Sequence, residues 1–328
     1  MEKTYPEAFD YVVENACKLG KKCRVVIAGA DNENILQGAF MAQEAGFAKL
    51  ILLGDESKIN PILEKIGKKE EDYTLISMDA KINAVQYAID MIKSGNADIL
   101  MRGNTETRDF LLPILNRVNH LVIENRMLTL VEIHKLERYE KPFAISDCTF
   151  IIEPSPEERK KVVQNMVRCL RIAGVNHPNI ALLSLVETPS FHMRDSVTAA
   201  LLVEEQKERP FADCNLVGPI AYDLIMSMEA ARLKGYDCAY CGEFDGIVAP
   251  DLMSCNVMSK ILKVEGGSSS FGVIMGANIP IAITSRSDPP TVSFLSLAAA
   301  AVMTNRGKEL AKQEKSQKAA SAGINETR

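Results

Sequence analysis

The sequence predicts an α/β fold made of two doubly wound α/β domains. Two observations carry this expectation. Short apolar runs of strand length alternate with longer periodic segments of helix length from one end to the other, the pattern of parallel sheets covered by helices on both faces. The chain also has 328 residues, which is long for one hydrophobic core and makes two domains the default.

Taken in order, a helix over 8–19 precedes a strand at 24–28, a helix at 34–44 and a strand at 49–53. A helix at 57–66, a strand at 73–77, a helix at 80–94, a strand at 99–101 and a helix at 107–115 complete one doubly wound layer. A second series starts after about residue 135, with a strand at 143–146, a long helix at 156–172 and a strand at 180–184. It continues with a helix at 195–207, a strand at 215–217, a helix at 221–234, a strand at 246–249, a helix at 252–262 and a strand at 273–275. Near the end, the apolar stretch Ile279 to Ile283 reads as a short buried strand. Asp288 is a good N-cap, Pro289 or Pro290 suits a first helical turn, and residues 292–303 supply a helix that is expected to pack back on the first domain. This divides the chain into a first domain, 1–135 plus 288–328, and a second, 136–287. The polar tail from Lys308 is expected to fray.

Composition narrows the function. With 47% hydrophobic and 25% charged residues the chain is ordinary soluble material. A net charge of -5 argues against a nucleic-acid or anionic-membrane surface, which would need a basic face, and favours small-molecule partners. No apolar run approaches the roughly 20 residues that cross a bilayer, and Glu2, Glu7, Asp10 and Glu14 stand where a signal sequence would be apolar. A cytoplasmic location is expected. Eight cysteines without a framework spacing point to reduced thiols. The Cys238-Ala239-Tyr240-Cys241 motif lacks a matching second ligand pair, so no metal site is expected. The chain has neither GxGxxG after a strand nor GxxxxGK[ST], which argues against a dehydrogenase or a kinase.

The candidate chemistry lies in loops that follow strands, the edge where open parallel sheets bind ligands. Thr284-Ser285-Arg286 places a hydroxyl beside a guanidinium between a strand and a helix. A planar guanidinium grips phosphate through two parallel hydrogen bonds, and the first amides of a helix carry partial positive charge. A surface Arg286 pairing with Asp288 is the plainer alternative. In Arg102-Gly103-Asn104-Thr105 the arginine leaves a strand as a second phosphate clamp or a surface charge, and Gly103 lets backbone approach a ligand. Asp147 ends another strand and serves either to steer a substrate or to form a turn. Asp251, with Asn256 one turn on, follows a buried strand, and Gly276 opens the segment that leads to Ser285.

These blocks together resemble the phosphate acetyl/butyryltransferase family, with the phosphate butyryltransferase branch closest. The likeness rests on Ala97 to Gly103, Ser146-Asp147, Gly218-Pro219 with Glu229 to Gly235, Val248 to Asp251 with Asn256, and Gly276-Ala277 through Thr284-Ser285-Arg286. The resemblance implies a cleft between two domains like those of isocitrate and isopropylmalate dehydrogenases, and a homodimer or larger assembly. It implies the reaction of acyl-CoA with phosphate to give acyl phosphate and CoA, with coenzyme A as substrate or product and no bound cofactor or metal. It also assigns Arg286 to phosphate and Ser285 to the carbonyl oxygen, with Asp288 the nearby carboxylate. Arg102, Gly103, Asp147, Asp251, Asn256 and Gly276 are the substrate-binding positions. The pattern departs from the family in places: Thr291 and Val292 stand where relatives carry an Asp after the Ser-Arg pair, and Pro250-Asp251-Leu252-Met253-Ser254-Cys255-Asn256 lacks the Glu and Gly of Pro-Asp-x-Glu-Ala-Gly-Asn. Thr198, Ile152 and Glu153 also depart from it. A catalytically weakened homologue that binds acyl-CoA or acyl phosphate is therefore the alternative. A metal-dependent oxidative decarboxylase would need an aspartate cluster that the sequence lacks.

Overall fold

The computed structural model describes residues 4–79 and 82–304. Strands β1 (Cys23–Ala28), β2 (Ala48–Gly54), β3 (Thr74–Ser77) and β4 (Ile99–Arg102) alternate with α2 (Glu33–Glu44), α3 (Glu56–Lys65) and α4 (Ala84–Lys93), after an opening α1 (Asp10–Cys17). Next come α5 (Thr107–Leu115), β5 (Thr129–Lys135), β6 (Phe143–Ser146), α6 (Pro156–Ile172), β7 (Asn179–Leu183), α7 (Arg194–Glu208) and β8 (Asn215–Ile220). The short helices α8 (Tyr222–Met226) and α9 (Met228–Lys234) are followed by β9 (Gly246–Val248), α10 (Leu252–Val264), β10 (Ser269–Met275) and β11 (Ile281–Ala282). A last helix, α11, covers residues 290–304.

The strands form one sheet of 11 in the order β3-β2-β1-β4-β11-β10-β5-β6-β9-β7-β8. Its two ends are parallel, β3 to β11 on one side and β6 to β8 on the other, and antiparallel pairings of β11-β10, β10-β5 and β5-β6 join them. Period-2 alternation splits the strands between two cores. Val25 and Ile27 belong to the core shared with α1, α2, α3, α6, α7 and α11, while Val26 and Ala28 belong to the one shared with α4, α5, α8, α9 and α10.

Local chemistry explains the element ends. Ser155 and Glu158 form a reciprocal capping box at the start of α6, with Pro156 in the first turn. The single helix expected at 221–234 is instead two, because Ser227 turns extended and its hydroxyl accepts the Ala230 N–H at 3.1 Å, starting a new helix. The helix expected at 80–94 starts at Ala84, where Asn83 accepts two amides; its first two expected residues and the tail from Lys308 lie outside the described residues.

The sequence reading missed β5. This strand is buried almost throughout although it carries Glu132 and His134. The last helix packs on α2: Gly38 lets the two approach so closely that an added Cβ would lie 2.2 Å from the Pro290 carbonyl oxygen, and Phe294 sits 5.8 Å from Phe47.

Candidate active site

β4 and β11 run parallel as neighbours, with Ile281 beside Leu100 and Ala282 beside Met101. This register brings Arg102 and the turn Thr284-Ser285-Arg286 to the same carboxyl edge of the sheet, a place where the backbone leaves open groups for a ligand. The two segments are 180 residues apart in sequence where Glu106 meets Arg286. Only sheet formation joins them.

Arg102 is buried, and its Nε and Nη2 donate to the Thr105 carbonyl at 3.0 and 2.7 Å. Burial first, and then the charge of Arg286, lower its pKa, while Glu106 acts in the opposite sense. Two like charges that act on each other at one sheet edge favour an anion beside them. Arg286 is more open, with 43% of its side chain exposed, and donates from Nη1 and Nη2 to Glu106 Oε1 and Oε2 at 2.8 and 3.2 Å. Glu106 is the N-cap residue of α5, yet its side chain caps nothing. The partial positive charge of that helix start adds to the two guanidiniums.

Ser285 is half-buried. Its N–H donates to Asp288 Oδ2 at 2.8 Å, and its Oγ lies 3.1 Å from Ser287 Oγ. The turn is pinned onto the start of α2, where Asn32 donates to the Arg286 carbonyl and Asn34 to that of Asp288, both at 3.2 Å. Asp288, the carboxylate near the Ser285-Arg286 pair, is buried. It is 8% exposed and lies 3.4 Å from Lys263 Nζ. Lys263 also reaches Glu132 Oε1 at 3.1 Å, and Glu132 in turn contacts Ser259 and lies 3.4 Å from His134 Nε2. Burial by itself lowers the Lys263 pKa, but Glu132 and Asp288 more than reverse this and raise it. For Glu132 burial pushes upward, and His134, Lys263 and Ser259 together hold it well below the usual carboxylate range.

Gly103 serves packing: an added Cβ would lie 1.9 Å from the Gly29 carbonyl oxygen, so only glycine lets the ends of β4 and β1 meet.

The remaining candidates gather elsewhere. Asp147 is buried and accepts four amides, from Leu130, Thr149, Phe150 and Ile151, at 2.8 to 3.2 Å. Burial raises its pKa, and these hydrogen bonds act in the opposite direction. Of its two sequence readings the turn-forming one describes what the carboxylate does. Asp251 caps α10 through the Ser254 amide at 2.7 Å, and Asn256 donates to the Cys148 carbonyl at 3.1 Å. Gly276 has φ +90° and sits where a Cβ would be 2.0 Å from the Met127 carbonyl oxygen. Phe150, Ile151 and Met127 line an open cavity of about 620 Å³ whose other apolar residues include Leu115, Val122 and Ile152, with Glu153 and Glu158 on its wall. Asp147, through its carboxylate on the Phe150 and Ile151 amides, and Gly276, against the Met127 carbonyl, therefore support residues of this wall.

Comparison with known proteins settles the family. The model of the phosphate acetyl/butaryl transferase family matches residues 60–301. The chain belongs to the phosphate acetyl/butaryl transferase family. Among members of this family, a phosphate butyryltransferase from Clostridium beijerinckii is 29% identical over 308 residues, which is 94% of this chain and all of that protein. A phosphate acetyltransferase from Thermotoga maritima is 26% identical over 89% of this chain and 98% of its own length. The crystal structure of a branched-chain phosphotransacylase from Enterococcus faecalis superposes with a TM-score of 0.76 at 26% identity, covering 86% of this chain and 99% of that one.

Sequence reasoning missed three residues of this candidate site. Glu106 gave no motif signal. Glu132 was detectable as a lone carboxylate in an apolar run, and Lys263 as a cation near the end of a helix, but neither pattern names its partner.

Proposed function

We propose that this chain is a phosphate acyltransferase that interconverts a short-chain acyl-CoA, butyryl- or acetyl-like, and phosphate with acyl phosphate and CoA by direct displacement in a ternary complex. The observation that carries this reading is the convergence of Arg102 and Arg286 at one sheet edge beside the start of α5, in a chain of this family.

An oxygen of hydrogen phosphate attacks the thioester carbonyl, the carbon–sulfur bond breaks after a tetrahedral intermediate, and the sulfur leaves with the electron pair and takes up the proton that hydrogen phosphate gives up, to become CoA thiol. Arg286, with Arg102 behind it, offsets the phosphate charge and orients the attacking oxygen. Ser285 Oγ, on the open side of its turn, donates to the carbonyl oxygen as that oxygen gains charge. Gly103 holds the Arg102 loop, and Asp147 and Gly276 support the wall of the cavity, whose Leu115, Val122, Phe150 and Ile151 side offers apolar contact to an acyl chain. Asp251 and Asn256 tie α10 to that wall. The reaction needs no resident cofactor or metal. The proposed setting is cytoplasmic, as a homodimer or larger assembly, with the segments 1–135 plus 288–328 and 136–287 acting as two domains on either side of the site.

Purified protein given butyryl- or acetyl-CoA with phosphate should release free thiol in proportion to both substrates. No release across a panel of acyl lengths would overturn the reading. The replaced motif positions at Met253, Cys255 and Thr198 favour a second reading, a weakened homologue that binds acyl-CoA or acyl phosphate as a regulatory or scaffolding protein. Tight CoA binding by calorimetry without thiol release would select it.

A further inference from the structure

The Arg286 guanidinium, assigned to phosphate, is already occupied. Glu106 presents both carboxylate oxygens to Nη1 and Nη2 at 2.8 and 3.2 Å, the same two-point geometry a phosphate would use. Glu106 is held by little else. Its side chain is 65% exposed, and it leaves the α5 amides uncapped although it occupies the N-cap position. An exposed ion pair of this kind is weak, so a dianion that also meets Arg102 and the helix start can displace it. Two hydroxyls close to the pair in sequence add a second observation. Thr105 Oγ1, next to Glu106, and Thr284 Oγ1, two residues before Arg286, are buried without a hydrogen-bond partner among the described residues. Buried hydroxyls need partners, and tetrahedral oxyanions supply acceptors.

We propose that the Glu106 carboxylate is a built-in stand-in for the oxyanion: it holds the Arg286 fork in binding geometry while the site is empty, and inorganic phosphate or the phosphoryl end of acyl phosphate exchanges with it on binding. Glu106 is thus a positioning residue that competes with substrate and sets the phosphate requirement. The inference rests on the acyltransferase reading for its substrate but not for its chemistry, which is anion exchange at Arg286.

The test is Glu106→Gln in the full chain. Gln keeps the length and removes the charge, so the KM for phosphate in the thiol-release assay should fall about 3- to 10-fold, a larger change than any in kcat. Inorganic phosphate should bind the variant tighter by a similar factor in calorimetry without acyl-CoA. A phosphate KM and affinity that stay level or worsen overturn the proposal, as does a shift confined to the KM for acyl-CoA, which would place CoA's own phosphates at Arg286. If the parent releases no thiol yet the variant binds phosphate more tightly, the exchange stands and the acyltransferase reading falls. If the parent turns over and the variant matches it in phosphate KM, the exchange alone fails.

Discussion

The Asp288 carboxylate accepts the backbone N–H of Ser285 at 2.8 Å and rests 3.4 Å from Lys263 Nζ. A buried ion network thus holds the Ser285-Arg286 turn from behind: Asp288 fixes the turn, Lys263 links it to α10, and Glu132 anchors Lys263 in the middle of the sheet. The open face of the turn is left for a ligand.

Lys263→Met removes the shared cation and leaves Glu132 and Asp288 buried without it. Losing one partner of a buried pair typically costs about 3–5 kcal/mol. The urea midpoint should drop accordingly, and turnover should fall because the Ser285 turn loses its support. A variant with the parent's midpoint would show that the network contributes nothing net.

The same network predicts a pH dependence. The folded pKa of Glu132 is lowered, so its stabilisation is complete above the unfolded value of about 4.3 and is lost as pH falls through the folded one. Lys263 is raised, so its contribution is complete below about 10.4 and is lost as pH climbs through its folded value. Denaturation midpoints of the parent and of Glu132→Gln should differ near neutrality and converge in acid. A gap that stays constant with pH would contradict the assignment.

Arg286→Ala should raise the phosphate KM at least about tenfold, equivalent to about 1.4 kcal/mol. Ser285→Ala should act on turnover instead, slowing kcat by about 10²- to 10³-fold if it removes one donor to the developing oxyanion. Steady-state kinetics with both substrates varied separate the two effects. Variants indistinguishable from the parent would move the site elsewhere.

Gly103→Ala forces a methyl group to 1.9 Å from the Gly29 carbonyl oxygen. The obstacle is backbone, which cannot rotate away, so the cost should reach or exceed the about 1–3 kcal/mol of an overpacked core. Gly276→Ala should be as harmful, since its φ of +90° adds strain to a contact of 2.0 Å with Met127. Expression yield and thermal midpoint report both outcomes, and a fully stable Gly103→Ala would refute the packing role.

The sequence by itself determined the α/β class, because strand and helix periods are local properties: α5 and α6 appear with the predicted ends. It also singled out Ser285, Arg286 and Arg102, since each lies where a strand stops. It did not reveal β5, whose Glu132 and His134 interrupt an apolar run and become tolerable only once Lys263, Ser259 and Ser268 meet them. Nor did it separate the candidates into groups. Tertiary structure alone decided that Arg102 and Arg286 share one edge, that Asp147 spends its oxygens on four amides, and that Glu106 faces Arg286. Pairings between residues so far apart along the chain depend on strand order and register, which are set by packing the whole sheet between its two helical layers and leave no periodic trace in either segment.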